Sequence, residues 1–230
     1  GVFSTLDEES GGAGKRIGST LMGLFSRDRI DAKTPEQLAR MRVAGLLVGR
    51  TLELLRESVR PGMTTLELDT LAETHIRDHG GIPNFQLVPG YRHTLCTSVN
   101  NEIVHGIPGQ RVLHEGDLLS VDCGAEVAGW NGDAAFTCVV GGREAGRPED
   151  LALMDDTEAS LWAGIAALKV GDSLYAVGAA VEDSLTASGQ RRGWEYGIVE
   201  DYVGHGIGQR MHMDPQVPNY RVSGKGPKVV

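Results

Sequence analysis

The run Val203-Gly204-His205-Gly206-Ile207-Gly208 sets an imidazole between glycines, and His212 follows it by seven residues. Asp122 and Asp133 lie in an alternating apolar stretch, and His105 stands in Ser98-Val99-Asn100-Asn101-Glu102-Ile103-Val104-His105-Gly106-Ile107-Pro108. Two carboxylates and three imidazoles, each in a strand pattern or beside glycine, are the raw material of a hydrolytic metal site. Two aspartates in an otherwise apolar hairpin are costly unless a cation or a proton compensates them. The plain alternative is an edge position where both are solvated. His205 weighs against that alternative, because Gly204 and Gly206 allow an irregular backbone around the ring and disfavour a helix. Oxygen-rich ligation with one imidazole suits Mn, Fe, Co or Zn. His105 and His212 suit a different role. As hydroxide attacks a peptide carbonyl, negative charge builds on its oxygen, and an imidazole can donate to it.

Tyr91 and Cys96 precede His105 in a segment that either walls a pocket or packs as plain core. Cys123, next to Asp122 in the strand, is expected on the opposite face and in the core. Trp130, Trp162 and Trp194 read as packing residues, and His75, His79, His93 and His114 as surface or helix residues.

The elements that must hold these groups follow from periodicity. Thr34-Pro35-Glu36-Gln37 is a helix start, and Leu38, Met41, Val43, Ala44, Leu47, Val48, Leu52 and Leu55 recur at helical spacing. Pro61-Gly62 breaks that helix, and a second runs from Thr65 to Asp78, ended by Gly80-Gly81. The unit returns: Ala159 to Leu168 is helical, Gly171 breaks it, Leu174 to Ala187 is helical, and Gly189 stops it. Gly62 and Gly171 are 109 residues apart, as are Gly80 and Gly189, so the fold is expected to be duplicated. A site between two such halves draws Asp122 and Asp133 from the first and His205 and His212 from the second. Leu118 to Val127 and Ala134 to Val140 read as a hairpin. A turn on Val127-Ala128 sets Asp122 opposite Asp133, whereas a turn on Asn131-Gly132 pairs Asp122 with Gly141. The functional register, with the two aspartates opposed, is the one expected here.

The chain of 230 residues is long enough for one well-buried catalytic domain. Residues 1–21 are rich in Gly, Ser and charge without a period and read as a disordered or non-native extension. Met22 is a candidate start, and 22–230 reads as a single domain. A net charge of −9 argues against nucleic-acid binding. The one basic cluster, Lys15, Arg16, Arg27 and Arg29, lies near the start. Cys96, Cys123 and Cys138 have no paired spacing, which fits a reducing cytoplasm. Ile17 to Phe25 is interrupted by Gly18, Ser19, Thr20 and Gly23 without a cleavage site, so secretion is not expected. No apolar run reaches the ~20 residues of a membrane helix.

Asn101-Glu102 to His105-Gly106-Ile107-Pro108, Val121-Asp122-Cys123-Gly124, Gly132-Asp133 and Gly204-His205-Gly206-Ile207-Gly208, with His212 and Pro215-Gln216-Val217, occur in order. From about Thr34 to Tyr220 the sequence resembles the bacterial type I methionine aminopeptidases of the M24 metallopeptidases. The resemblance implies an α/β "pita-bread" fold of two duplicated helix-helix-strand halves. It also implies removal of the initiator methionine from nascent chains whose second residue is small. By it Asp122 ligates metal, Asp133 bridges two divalent ions (Co, Mn, Fe or Zn) and His205 ligates one of them. His105 and His212 contact the substrate amide, Tyr91 and Cys96 line the methionine pocket, and Met211 takes a position that is often Phe. Implied partners are nascent polypeptide N-termini near the ribosome exit region, met by a cytoplasmic monomer. The family site also has two glutamates, one in an Ile-Glu-Pro segment and one near the C-terminus. The sequence reaches Val230 before either, and Glu182, Glu195 and Glu200 precede His205 in the wrong order to substitute. It is therefore expected to be incomplete at that end, without closing strands, and to bind metal poorly and turn over little. Two other readings are a proline-directed pita-bread peptidase, which usually carries a large N-terminal domain, and a non-catalytic pita-bread binding protein.

Overall fold

Thr34 and Gln37 close the first helix reciprocally. The Thr34 hydroxyl accepts from the Gln37 N–H at 3.3 Å, and the Gln37 side chain accepts from the Thr34 N–H at 2.9 Å. With Pro35 in its first turn, helix α1 runs Pro35–Ser58. Thr64 and Glu67 repeat the device at the start of α2, Thr65–Asp78. The computed structural model describes residues 30–230. The expected extension 1–21, Met22 and the cluster Lys15, Arg16, Arg27 and Arg29 lie outside the described residues.

Four strands follow: β1 (Ile82–Pro83), β2 (Leu95–Val99), β3 (Leu118–Val127) and β4 (Trp130–Val139). The antiparallel sheet is centred on β3, with β4 along one edge and β2 and β1 along the other. One face is apolar and packs under α1 and α2. Leu47, Val48, Leu55, Leu68, Ala72 and Ile76 from the helices meet Leu95, Val99, Leu119, Val121, Cys123 and Phe136 from the strands. Cys123 is fully buried there, as its alternation with Asp122 requires.

The hairpin corrects two expectations. Val127 pairs with Trp130 across a two-residue turn, Ala128-Gly129, so β4 begins at Trp130 rather than Ala134. Asp122 pairs with Ala135, and Asp133 pairs with Gly124. The aspartates are thus diagonal neighbours on one face, not opposed. A two-residue hairpin of this twist needs positive φ at both turn residues, and Ala128 (φ 49°) and Gly129 (φ 80°) supply it. Neither Val127-Ala128 nor Asn131-Gly132 does.

The second half contains α3 (Pro148–Ala166), α4 (Ala176–Arg192), β5 (Gly204–Gly206) and β6 (Met213–Val217). α3 starts well before Ala159, at Pro148, where proline suits a first turn. α4 runs through Gly189 and stops at Gly193, in the left-handed region. Gly189 serves packing instead: a Cβ there would lie 2.6 Å from the Trp194 carbonyl oxygen. Trp130 is buried, but Trp162 and Trp194 are exposed, contrary to the packing role expected of them. The apolar side of α3 faces an open groove of about 620 Å³ with Leu161, Ile165, Val177, Val181 and Leu185 in its wall, so hydrophobicity did not enforce burial.

The backbone bears out the duplication. Gly62 N–H donates to Leu113 O at 2.8 Å, and Leu113 N–H returns to Met63 O at 2.7 Å. In the second half Gly171 N–H donates to Val229 O at 2.8 Å, and Val229 N–H returns to Asp172 O at 2.9 Å. Gly62 and Gly171 share φ near +90°. Among the described residues no helix is long and apolar enough to cross a membrane.

Candidate active site

The face of the sheet away from the helices carries the chemistry. Cys96 pairs with Asp122 and Ser98 with Ser120 across β2 and β3, so Cys96, Ser98, Asp122 and Asp133 share one face. The Asp122 carboxyl is held well above its usual range by burial first and by the charge of Asp133 second. Asp133 is also raised by burial, partly offset by His205 and His212. Two half-buried acids that disfavour joint ionisation form an environment that a cation or a shared proton would relieve.

His205 arrives on β5, at a bulge between His205 and Gly206. Its Nδ1 lies 2.9 Å from the Gly206 carbonyl oxygen, which can only accept, so Nδ1 carries the proton. In the neutral ring that leaves a lone pair on Nε2, which lies 3.7 Å from Asp133 Oδ2. Two electron-rich atoms facing each other at this spacing suit an intervening cation, and a backbone carbonyl on the other ring nitrogen is a common companion of a metal-ligating histidine. The donor chemistry of Asp122, Asp133 and His205 therefore fits a divalent ion. The three line the site rather than enclose it: among the described residues no group of three His, Cys, Asp or Glu side chains is closed at ligating distance.

His212, just before β6, stacks edge-on against His205 with ring centroids 4.4 Å apart. Its imidazole is held below its usual pKa by desolvation first and His205 second. His105 is lowered by burial first, with His212 also contributing. Its position comes from a tight loop after β2. Thr97 N–H donates to Gly106 O at 2.7 Å, and Gly106 N–H donates to the Ser98 hydroxyl at 3.0 Å. A Cβ at Gly106 would collide with the Thr97 carbonyl, so only glycine allows this approach. The ring of His105 rests edge-on against Tyr202, 5.1 Å between centroids.

Tyr91 and Cys96 are buried together with Phe85, and Val88 and Met211 pack against them. The Tyr91 hydroxyl donates to Leu95 O at 2.6 Å and lies 3.4 Å from Cys96 Sγ. Burial pushes the Cys96 thiol up to about 12. A cleft of about 380 Å³ opens beside them, lined by Val88, Asn131, Met211 and His212 among others. All seven expected site residues thus lie around one region.

Three contributors escaped the sequence reading. Asn131, expected as a turn signal, is a buried strand residue whose backbone and side-chain N–H groups both donate to Gly208 O, at 2.9 and 3.0 Å. It ties the His205 loop to β4 two residues before Asp133. Tyr202 had no local signal. His93, expected to be a plain surface residue, instead meets Asp69 and the Tyr91 ring.

Residues 39–229 match metallopeptidase family M24. A methionine aminopeptidase of Clostridium acetobutylicum is 43% identical over 201 residues, covering 86% of this chain and 76% of that protein. The crystal structure of methionine aminopeptidase from Rickettsia prowazekii superposes with a TM-score of 0.79 at 30% identity, covering 88% of this chain and 78% of that one. Prolidase from Pyrococcus furiosus shares the pita-bread fold (TM-score 0.69) at 18% identity, over 83% of this chain and 53% of its own. With two carboxylates and an imidazole gathered between duplicated halves, and with these likenesses along most of its length, the chain belongs to metallopeptidase family M24 and is similar to methionine aminopeptidases.

Proposed function

We propose that this protein is a metal-dependent aminopeptidase that removes the N-terminal methionine from nascent polypeptides whose second residue is small. The observation that carries the reading is the convergence of Asp122 and Asp133, on one face of the sheet, with His205, whose Nε2 lies 3.7 Å from Asp133 Oδ2. Asp122, Asp133 and His205 would hold the divalent ions, two of them and of Co, Mn, Fe or Zn. Bound there, such ions supply Lewis acidity and lower the pKa of water toward ~7, making a nucleophile at neutral pH.

The rest falls to side chains of this chain. His105 and His212 flank the site and present N–H groups to the carbonyl oxygen of the scissile bond as charge builds on it. Tyr91, Cys96 and Met211 receive the apolar methionine side chain. Water adds across the first peptide bond, the C–N bond breaks, and methionine leaves together with a chain bearing a new amino terminus. The proposed setting is the cytoplasm, near the ribosome exit, with the protein acting as a monomer. Proline-directed peptidases share the fold but are similar at a level that supports the fold alone.

The test is methionine release from Met-Ala-Ser, Met-Trp-Ser and Leu-Ala-Ser, with added Mn²⁺ and with chelator. Release from Met-Ala-Ser alone, slow as the poor metal binding expected of this chain requires and abolished by chelator, is expected. Equal hydrolysis of a Xaa-Pro peptide, or hydrolysis that survives chelation, would overturn the reading.

A further inference from the structure

Beside the wall formed by Tyr91 and Cys96, α2 contributes a carboxylate whose two oxygens are both engaged. Asp69 is 4% exposed. Its Oδ1 accepts the backbone N–H groups of Thr94 and Leu95, each at 2.8 Å. Its Oδ2 accepts from His93 Nδ1 at 3.2 Å. The residues it grips lie between Tyr91 and Cys96 in sequence. Leu95 receives the Tyr91 hydroxyl through its carbonyl, and the His93 ring meets the Tyr91 ring edge-on at 5.8 Å. Gln86 adds a donor to the Thr94 hydroxyl at 3.1 Å. Charge-assisted bonds to a carboxylate are stronger than neutral ones, so residues 91–96 are held as a bracket whose shape is fixed from α2.

We propose that Asp69 and His93 are positioning residues for substrate specificity: a carboxylate–imidazole clamp that sets the spacing of Tyr91 and Cys96, and so the width of the pocket for the N-terminal side chain. A narrow slot accepts an unbranched thioether and rejects a branched side chain of similar volume. Releasing the clamp lets the slot widen and equalises the two. The proposal rests on Tyr91 and Cys96 being the pocket wall.

The experiment is an NMR titration of the full chain with L-methionine and with L-leucine, reading the ratio of the two dissociation constants. The unmodified protein favours methionine. His93→Leu removes the donor to Asp69 and lowers the ratio by about threefold or more, within the range that one branching difference can supply. His93→Gln, which keeps an N–H within reach of Asp69, restores the ratio to within about twofold. Asp69→Ala has the effect of His93→Leu. The His93 side chain is 27% exposed, so its variants fold even where Asp69→Ala does not. A purely structural role weakens both ligands together and leaves the ratio unchanged, and that result overturns the proposal. Tyr91→Phe and Cys96→Ala serve as controls. If they too leave the ratio unchanged, the pocket reading fails and takes the clamp with it. If they alter it while His93→Leu does not, the clamp alone is refuted.

Discussion

The ring of His205 has one nitrogen committed to Gly206 O and the other facing Asp133, which is the arrangement of a ligand rather than a proton shuttle. His212 stacks on it without such a lock. The two histidines should therefore fail differently when removed. Replacing His212 by Ala is expected to lower kcat by about 10²–10³, the usual loss for one donor to a developing oxyanion, while metal content measured by elemental analysis stays unchanged. A parallel loss of metal would instead make His212 a ligand. Among single residues the sequence was informative where chemistry is written in residue type and neighbours: paired aspartates in an apolar strand, and an imidazole between glycines. It was silent on Asp69, His93 and Tyr202. Asp69 lies 24 residues from His93 and Tyr202 97 from His105, and nothing local marks a carboxylate that will meet a distant backbone.

Helix starts were legible because a capping box is a local device, and both Thr34 and Thr64 form one. The hairpin register was not. Asn131-Gly132 has the stronger turn chemistry, yet Asn131 is drawn into the strand by its bonds to Gly208, 77 residues away, and Ala128 takes the strained place in the turn. Ala128→Gly should thus stabilise the protein by roughly 1 kcal/mol, because an L-residue with positive φ costs about that much. Thermal melting checks this, and a destabilised variant would contradict the turn. The second helix pair is fastened by Asp156, which accepts from Arg192 Nε at 2.5 Å and from the Tyr196 hydroxyl at 2.6 Å. Arg192 chiefly holds its carboxyl down at about 2. A depressed pKa contributes stability above the unfolded carboxylate range, ~4, and loses it as pH falls toward 2. Asp156→Asn should be less stable than the parent at pH 6, with the difference shrinking between pH 4 and pH 2 in urea titrations. A constant difference would mean that the charge is not what matters.

Across the whole molecule, two halves built on one plan face each other, and the reacting groups come from both. The repeat was readable from the 109-residue spacing of glycines because Gly62 and Gly171 hold the same positive φ in both copies. The exposure of Trp162 was not readable, because composition does not tell which apolar face finds a neighbour. The first half owes its rigidity to the core under α1 and α2. Leu68→Ala, at a fully buried position, should cost about 2–5 kcal/mol in chemical denaturation. Everything proposed for the reaction depends on Asp122, Asp133 and His205 holding divalent metal. Calorimetric titration of Mn²⁺ into chelator-stripped protein decides this, with Asp133→Asn and His212→Ala as comparisons. Weak but saturable binding is expected, reduced further by on the order of 100-fold or more in Asp133→Asn, beyond what loss of a merely supporting residue brings, and persisting in His212→Ala. Equal Mn²⁺ affinity in Asp133→Asn and the parent would contradict it.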